Sequence, residues 1–150
     1  MFRLFDFVFA LLGLVFGAPI FVVLTFIGLF DTGSPIFRQE RVGRDKRPFT
    51  LVKFRTMTVV DEDQGVSGAH KASRVTPLGA KLRAKRMDEF PQLWNIIKGD
   101  LSFVGPRPPL REYVERFPDI YKEVLKSRPG VTGLATIRFH KHEDKLLSRC

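Results

Sequence analysis

Cysteine is all but missing from this chain: Cys150, the last residue, is the only one. A single chain can therefore hold neither a disulfide framework nor a cysteine metal site, and a reducing cytoplasmic setting fits. Acidic residues are also scarce, 16 against 25 lysines and arginines, which leaves a net charge of +9. Such an excess calls for an anionic partner, either nucleic acid, an acidic membrane surface or a phosphorylated substrate. Charge disappears altogether between Phe7 and Phe30, a run of 24 residues without one ionisable side chain. Without that run the rest of the chain is basic and only moderately apolar. A basic domain beside an uncharged apolar stretch favours lipid headgroups and phosphate substrates, and nucleic acid is not expected as a partner.

As a helix the apolar run would reach about 36 Å, enough to cross a hydrocarbon core of about 30 Å. A secretory signal fits poorly, because the run is too long, Asp6 lies ahead of it and no Ala-x-Ala site follows. Pro19 lies mid-run behind Gly17 and Ala18 and has no N–H to donate, so a kink is expected there. Two arms of about eleven residues reach about 17 Å each, which suits a re-entrant hairpin, while a kinked spanning helix satisfies the same residues. Arg38, Arg41, Arg44, Lys46, Arg47, Lys53 and Arg55 follow the run against only Glu40 and Asp45, which keeps the bulk of the chain on the cytoplasmic side.

Asp31 to Pro35 is dense in turn formers and ends the apolar run. Ile36 to Arg41 and Phe49 to Met57 read as two strands of a hairpin, turned at Gly43 to Pro48. Lys53 and Arg55 share one face of the second strand, either as a solvated basic edge or as a phosphate-binding pair. Val59 to Ser73 reads as a mobile loop, and Thr76-Pro77 as the cap and first residue of a helix bearing Lys81, Arg83, Lys85 and Arg86.

Asp88 and Glu89 precede Phe90, Leu93, Trp94 and Ile97, an apolar set at helical spacing that Gly99 closes. That predicts Asp88 at or just before a helix N-terminus, where negative charge is favoured and an aspartate commonly serves as a cap. A second carboxylate alongside, and an approach through Arg83, Lys85 and Arg86, suit a different role. A carboxylate nucleophile must stay ionised, and neighbouring cations both favour that form and attract a diphosphate. A divalent cation with oxygen ligands, Mg2+, would let carboxylate and phosphate meet, with Asp88 as its protein ligand. Further on, Asp100 to Val104 reads as a short strand. Gly105-Pro106-Arg107-Pro108-Pro109 reads as a stiff loop holding one guanidinium. Tyr113 to Leu125 is helical with an interruption at Pro118. Pro129 to Gly133 is a turn into a strand at Leu134 to Ile137. His140 and His142 lack a third ligand at metal-site spacing.

Taken together, these motifs resemble the bacterial sugar transferases, the monotopic polyprenyl-phosphate phosphoglycosyl transferases. The resemblance covers nearly the whole sequence. It runs through the proline-interrupted apolar stretch, Gly33-Ser34-Pro35-Ile36-Phe37, Lys53-Phe54-Arg55-Thr56-Met57 and Asp88-Glu89-Phe90-Pro91-Gln92-Leu93-Trp94-Asn95. It continues through Lys98 to Pro108 and ends in Arg128-Pro129-Gly130-Val131-Thr132-Gly133. It implies an α+β, predominantly helical fold: a membrane-embedded re-entrant helix-break-helix over residues 1–33, and a small cytoplasmic catalytic domain with a short β-hairpin over 34–150. It further implies that Asp88 attacks the sugar-linked phosphate of a UDP-sugar, expels UMP, and passes the phosphosugar to a polyprenyl phosphate in the inner membrane, with Mg2+ beside Asp88. Glu89 would move a proton or position the metal, Arg83 would hold phosphate or the helix end, and Arg107 would contact the nucleotide. Lys53 and Arg55 complete the expected substrate-binding set.

Two departures from the family pattern stand out. Ala18 stands where relatives often carry a serine, and relatives continue beyond Gly133 with further helices and another acidic site residue, so a fragment of a longer enzyme is expected. Longer members also carry additional N-terminal membrane helices. Two other readings use the same residues: a membrane-anchored basic module without catalysis, and a hydrolase that splits the nucleotide sugar with water. Neither the sugar nor the oligomeric state is written in these motifs.

Overall fold

A computed structural model of the protein describes residues 2–59 and 73–133. The loop read over Val59 to Ser73 falls almost wholly outside them, as do the strand expected at Leu134 to Ile137 and the histidines at 140 and 142.

The apolar run forms a single helix, α1 (Phe2–Thr32), with Pro19 inside it. The helix-break-helix expectation is thereby corrected to one uninterrupted helix. Proline removes one intrahelical bond, and Ala18 and Pro19 both lie on the exposed side, while the opposite side is held by packing along its full length. Asp6, Ala10, Gly17 and Gly28 are buried, with Arg3, Gly13, Phe21 and Asp31 partly buried between and beyond them. With partly buried Leu24 between Phe21 and Gly28, these residues recur every three or four positions and form one stripe. The stripe is made largely of small residues so that the helix can lie close to the domain. At Gly17 a Cβ would overlap the Phe90 ring.

Charged side chains secure both ends of that stripe. The Arg3 guanidinium donates to the carbonyls of Ile96 and, at 2.6 Å, Ile97, where the last turn of a helix favours a cation. The Asp6 carboxylate accepts from the Ser102 hydroxyl at 2.7 Å and the Phe103 N–H at 3.3 Å. At the other end the Thr76 hydroxyl donates to Asp31 at 2.7 Å.

Strands β1 (Ile36–Val42) and β2 (Pro48–Phe54) form the expected antiparallel hairpin, with Phe37 opposite Lys53 and Arg41 opposite Phe49. Alternation gives it two faces. One carries Phe37, Gln39, Arg41, Lys53 and Leu51; the other carries Ile36, Arg38, Val52 and Phe54, and Phe54 packs on Phe21 of α1 at 5.2 Å. Helix α2 (Pro77–Ala84) opens as its sequence predicts, with the Thr76 hydroxyl accepting from Gly79 N–H at 2.9 Å. Helix α3 (Gln92–Lys98) ends at Gly99, whose φ of 95° is left-handed. Strand β3 (Ser102–Val104) pairs in parallel with β4 (Gly130–Thr132), so the Pro129 to Gly133 segment is strand where a turn was expected. Pairing with a distant strand supplies the bonds that a local turn would have made. Pro118 splits the last helical stretch into α4 (Arg111–Arg116) and α5 (Pro118–Val124).

The core joins Ala10 of α1, Leu51 of β2, Ile96 of α3 and Leu101. A smaller cluster of Val42, Val114 and Leu125 fixes α4 and α5 to the hairpin. Gly79 lies directly on the Thr56 backbone, and a Cβ there would overlap the Thr56 carbonyl. Backbone cannot swing aside as a side chain can, so Gly79→Ala is expected to lower stability by about 1–3 kcal/mol. Chemical denaturation would show this as a lower midpoint at unchanged slope.

Candidate active site

The carboxylate pair sits where the chain reverses between α2 and α3. Arg86 adopts a left-handed conformation at φ 53°, and Met87–Glu89 then form one 3-10 turn. The N-cap of α3 is Pro91, with no side-chain capping bond. Asp88 is therefore no helix cap, which removes that alternative: a full turn of chain separates it from the first free N–H groups of α3. Its side chain is buried, 8% exposed, and makes no hydrogen bond or ion pair among the described residues. Its carboxylate oxygens are not among the fully enclosed unpartnered atoms, so they stay open to water or a ligand.

Cations surround it. Lys53 on β2 experiences the charges of Arg83, Asp88, Arg41 and Arg107. Burial first, and Arg83 second, push the Lys53 ammonium below the ordinary lysine range, against a partial opposing pull from Asp88. Glu89 is pushed above the usual carboxylate range, chiefly by burial and also by Asp88, with Arg86 pulling the other way. Arg86 reaches the Glu89 carboxylate at 3.6 Å. Burial and the nearby Arg107 likewise lower the Arg41 guanidinium, and the Arg41 Nε is buried without a partner. The trough is thus short of negative charge, and a diphosphate would relieve it.

Two of these cations are aimed by their own anchors. Arg83, one turn after Gly79 on α2, donates from Nε to the Thr56 hydroxyl at 2.8 Å. Arg41 donates to the Pro108 carbonyl at 3.1 Å and to Gln39 at 2.7 Å. The first of these bonds ties the hairpin to the proline-rich loop. That loop is further pinned by Val42 N–H to Pro109 O at 3.0 Å and Gly130 N–H to Pro106 O at 2.9 Å, so exposed Arg107 projects from a fixed base. Two cavities meet at Arg41 and Lys53: one of about 200 Å³ running to Thr56 and Arg83, and one of about 40 Å³ running to Glu89, Gln92 and Arg107.

The structure gathers Asp88, Glu89, Lys53, Arg83 and Arg107 of the expected set. Arg55 lines the larger cavity together with Lys53 and Arg83; its Nε donates to the Ser34 carbonyl at 2.8 Å, and its guanidinium lies over Phe37 at 5.5 Å, the ring that Lys53 also covers. Arg41 and Gln92 were not singled out from the sequence. The signal for Arg41 was its alternation with Phe37 and Gln39, which puts it on the Lys53 face once the register is known.

Among the described residues no three histidines, cysteines or carboxylates gather into a metal cluster. Magnesium needs less, since it binds through one or two carboxylates together with substrate phosphate oxygens and water. Asp88, free of protein partners and adjacent to Glu89, fits that donor set.

Comparison with known proteins gives the same direction. A family model described as "Bacterial sugar transferase" matches residues 1–149. The chain is 38% identical over 152 residues to the UDP-glucose:undecaprenyl-phosphate glucose-1-phosphate transferase of Klebsiella pneumoniae, covering 98% of this chain and 33% of that one. It is 40% identical over 134 residues to the enzyme of the same name from Caulobacter vibrioides, covering 86% and 50%. With the UDP-galactose-lipid carrier transferase of Erwinia amylovora it shares 36% over 148 residues, covering 88% and 31%. The chain spans a third to a half of the length of these relatives. With its motifs matched across almost the whole sequence, the chain belongs to the bacterial sugar transferase family.

Proposed function

We propose that the chain transfers a sugar 1-phosphate from a UDP-sugar to a polyprenyl phosphate at the cytoplasmic face of the bacterial inner membrane and releases UMP. The observation that carries this reading is Asp88, whose carboxylate has no protein partner among the described residues and lies close to Lys53, itself in the field of Arg83, Arg41 and Arg107. The names of relatives similar over most of the chain pair UDP-glucose with undecaprenyl phosphate, which supports it.

Arg41, Lys53, Arg83 and Arg107 would hold the donor diphosphate, since guanidinium and ammonium groups match phosphate oxygens in charge and geometry. An Asp88 carboxylate oxygen then attacks the sugar-linked phosphorus. The bond from that phosphorus to the bridging oxygen breaks, and UMP leaves with the electron pair. In the second step a phosphate oxygen of the polyprenyl acceptor attacks the same phosphorus, Asp88 leaves as carboxylate, and the sugar departs on a polyprenyl diphosphate. Magnesium bound at Asp88 and the substrate phosphates would neutralise charge that otherwise keeps carboxylate and phosphate apart. Glu89, held more readily protonated than a free glutamate, limits the negative charge on the pair and can pass a proton to the departing phosphate.

For the membrane, α1 supplies the anchor. Its most apolar window has a mean hydropathy of 2.7 and is only 11% buried, so this is not the core helix of a soluble domain. Both ends bond to the same domain, at Ile96 and Ile97 and at Thr76. A helix that crossed the bilayer would carry one end away from the domain, so α1 instead lies along the domain at the membrane surface, its outer face in lipid.

Lys53→Met separates the donor-binding role from a structural one. Because the folded protein lowers the Lys53 pKa, the ammonium costs stability below that value, and the cost is relieved as pH rises through it. The variant is therefore expected to melt higher at neutral pH while its KM for UDP-sugar rises about tenfold or more. In the unsubstituted chain KM should rise as the pH approaches the lowered Lys53 value. Thermal melts and initial rates across pH check both.

UMP release across a panel of UDP-sugars, with and without polyprenyl phosphate, tests the reaction itself. Sustained release is expected only with the lipid acceptor. Free sugar phosphate formed at an undiminished rate without acceptor would instead identify a hydrolase.

A further inference from the structure

The face of the hairpin turned away from Lys53 borders a second and larger cavity, a groove of about 700 Å³ between α1, the hairpin and α3. That volume lies within the range of sites for small organic ligands, about 300–1,000 Å³. Its floor is apolar: Leu14, Phe21 and Val22 of α1 face Ile36 and Val52 of the hairpin. Besides Thr50 and Asn95 it carries two cations, Arg38 on β1 and Lys98 on α3, with Trp94 one turn before Lys98. Arg38 is exposed and has no ion-pair partner among the described residues. Lys98 shares Asp100 at 3.4 Å and is half exposed. Trp94, 55% exposed, presents an amphipathic ring of the kind found at membrane interfaces.

An apolar trench along the flank of a lipid-facing helix, with two basic side chains and a tryptophan at its rim, has the composition of a lipid site. Long basic side chains reach from apolar surroundings to an anionic headgroup. We propose that this groove binds one anionic phospholipid of the bilayer, its acyl chain between α1 and the hairpin and its phosphate at Arg38 and Lys98. The catalytic trough occupies the opposite face of the same strands, so the bound lipid is a fixed neighbour and not the acceptor. It would hold α1 against β2, the strand that carries Lys53. The inference rests on the membrane placement of α1 proposed above.

Trp94 is the chain's only tryptophan, so its emission reports the groove directly. The full chain in dodecyl maltoside micelles is titrated with phosphatidylglycerol, and in parallel with phosphatidylcholine and with polyprenyl phosphate. A saturable change with phosphatidylglycerol and little with phosphatidylcholine is expected. Each basic residue near an anionic lipid is worth about fivefold, so R38E/K98E, which removes both and adds repulsion, should weaken binding at least about 25-fold. R116E/K122E, with the same change in net charge on α4 and α5, should leave it unaltered. Ala18→Phe, which fills the groove from α1 and keeps both cations, should also abolish the response. Equal binding of phosphatidylcholine, wild-type affinity in R38E/K98E or in A18F, or saturation by polyprenyl phosphate in place of phosphatidylglycerol would each overturn the proposal. UMP release measured on the same preparations separates this failure from failure of the transferase reading: retained turnover with an empty groove sinks only the lipid site.

Discussion

Asp88→Asn is expected to lower UMP release and lipid product by about 10³-fold or more, because an amide has neither the charge nor the nucleophilicity that the first bond requires. The substitution is nearly isosteric. Asp88 makes no hydrogen bond or ion pair among the described residues, so the change breaks no native contact, and the variant should keep a cooperative thermal transition. Donor binding should survive, since Lys53, Arg83 and Arg107 remain, and loss of the carboxylate removes one negative charge from their midst. Titration with a UDP-sugar would show this as retained or tightened affinity beside lost turnover. Full activity in the variant would remove Asp88 from the chemistry.

The second large effect concerns stability and comes from Asn95. Its side chain is 1% exposed and fills the role of a third strand. The amide oxygen accepts from Val52 N–H at 3.1 Å, and the amide nitrogen donates to the Thr50 carbonyl at 2.8 Å and to Asp100 at 3.1 Å. Both β2 groups belong to the edge not paired with β1, so one side-chain amide satisfies the strand as a neighbouring peptide would. Asn95→Ala strands that N–H and carbonyl and is expected to cost about 2–4 kcal/mol. Asn95→Asp should cost more, because it sets a carboxylate against the Thr50 carbonyl and Asp100. Since Lys53 follows Val52 directly, surviving protein should also show a raised KM. Denaturant titration of the two variants checks the order; an Asn95→Asp variant as stable as the native chain would refute the strand-like role.

Features set by neighbouring residues could be read directly from the sequence. Thr76-Pro77 opens a helix and Gly99 closes one because capping chemistry is local, and the hairpin follows from two apolar runs around one turn. Features decided at long range were misread. Pro19 suggested a break, but the stripe from Arg3 to Asp31 docks without interruption past it. Pro129-Gly130 suggested a turn, yet β3 recruits the segment as a parallel partner. For Asp88 the alternative of a helix cap stayed open in the sequence, because nothing local reveals the intervening 3-10 turn. Arg41 and the bridging use of Asn95 become visible only once the strand register is fixed. Arg55 shares a cavity with Lys53 as its spacing suggested, with Ser34 holding its guanidinium.

The most direct test of the central claim is the mass of the protein after brief exposure to UDP-sugar and Mg2+ without lipid acceptor. A gain equal to one sugar phosphate, mapped by peptide fragmentation to Asp88 and lost on adding polyprenyl phosphate, is the expected result. UMP release at full rate with no adduct formed, or an adduct that persists in Asp88→Asn, would contradict it.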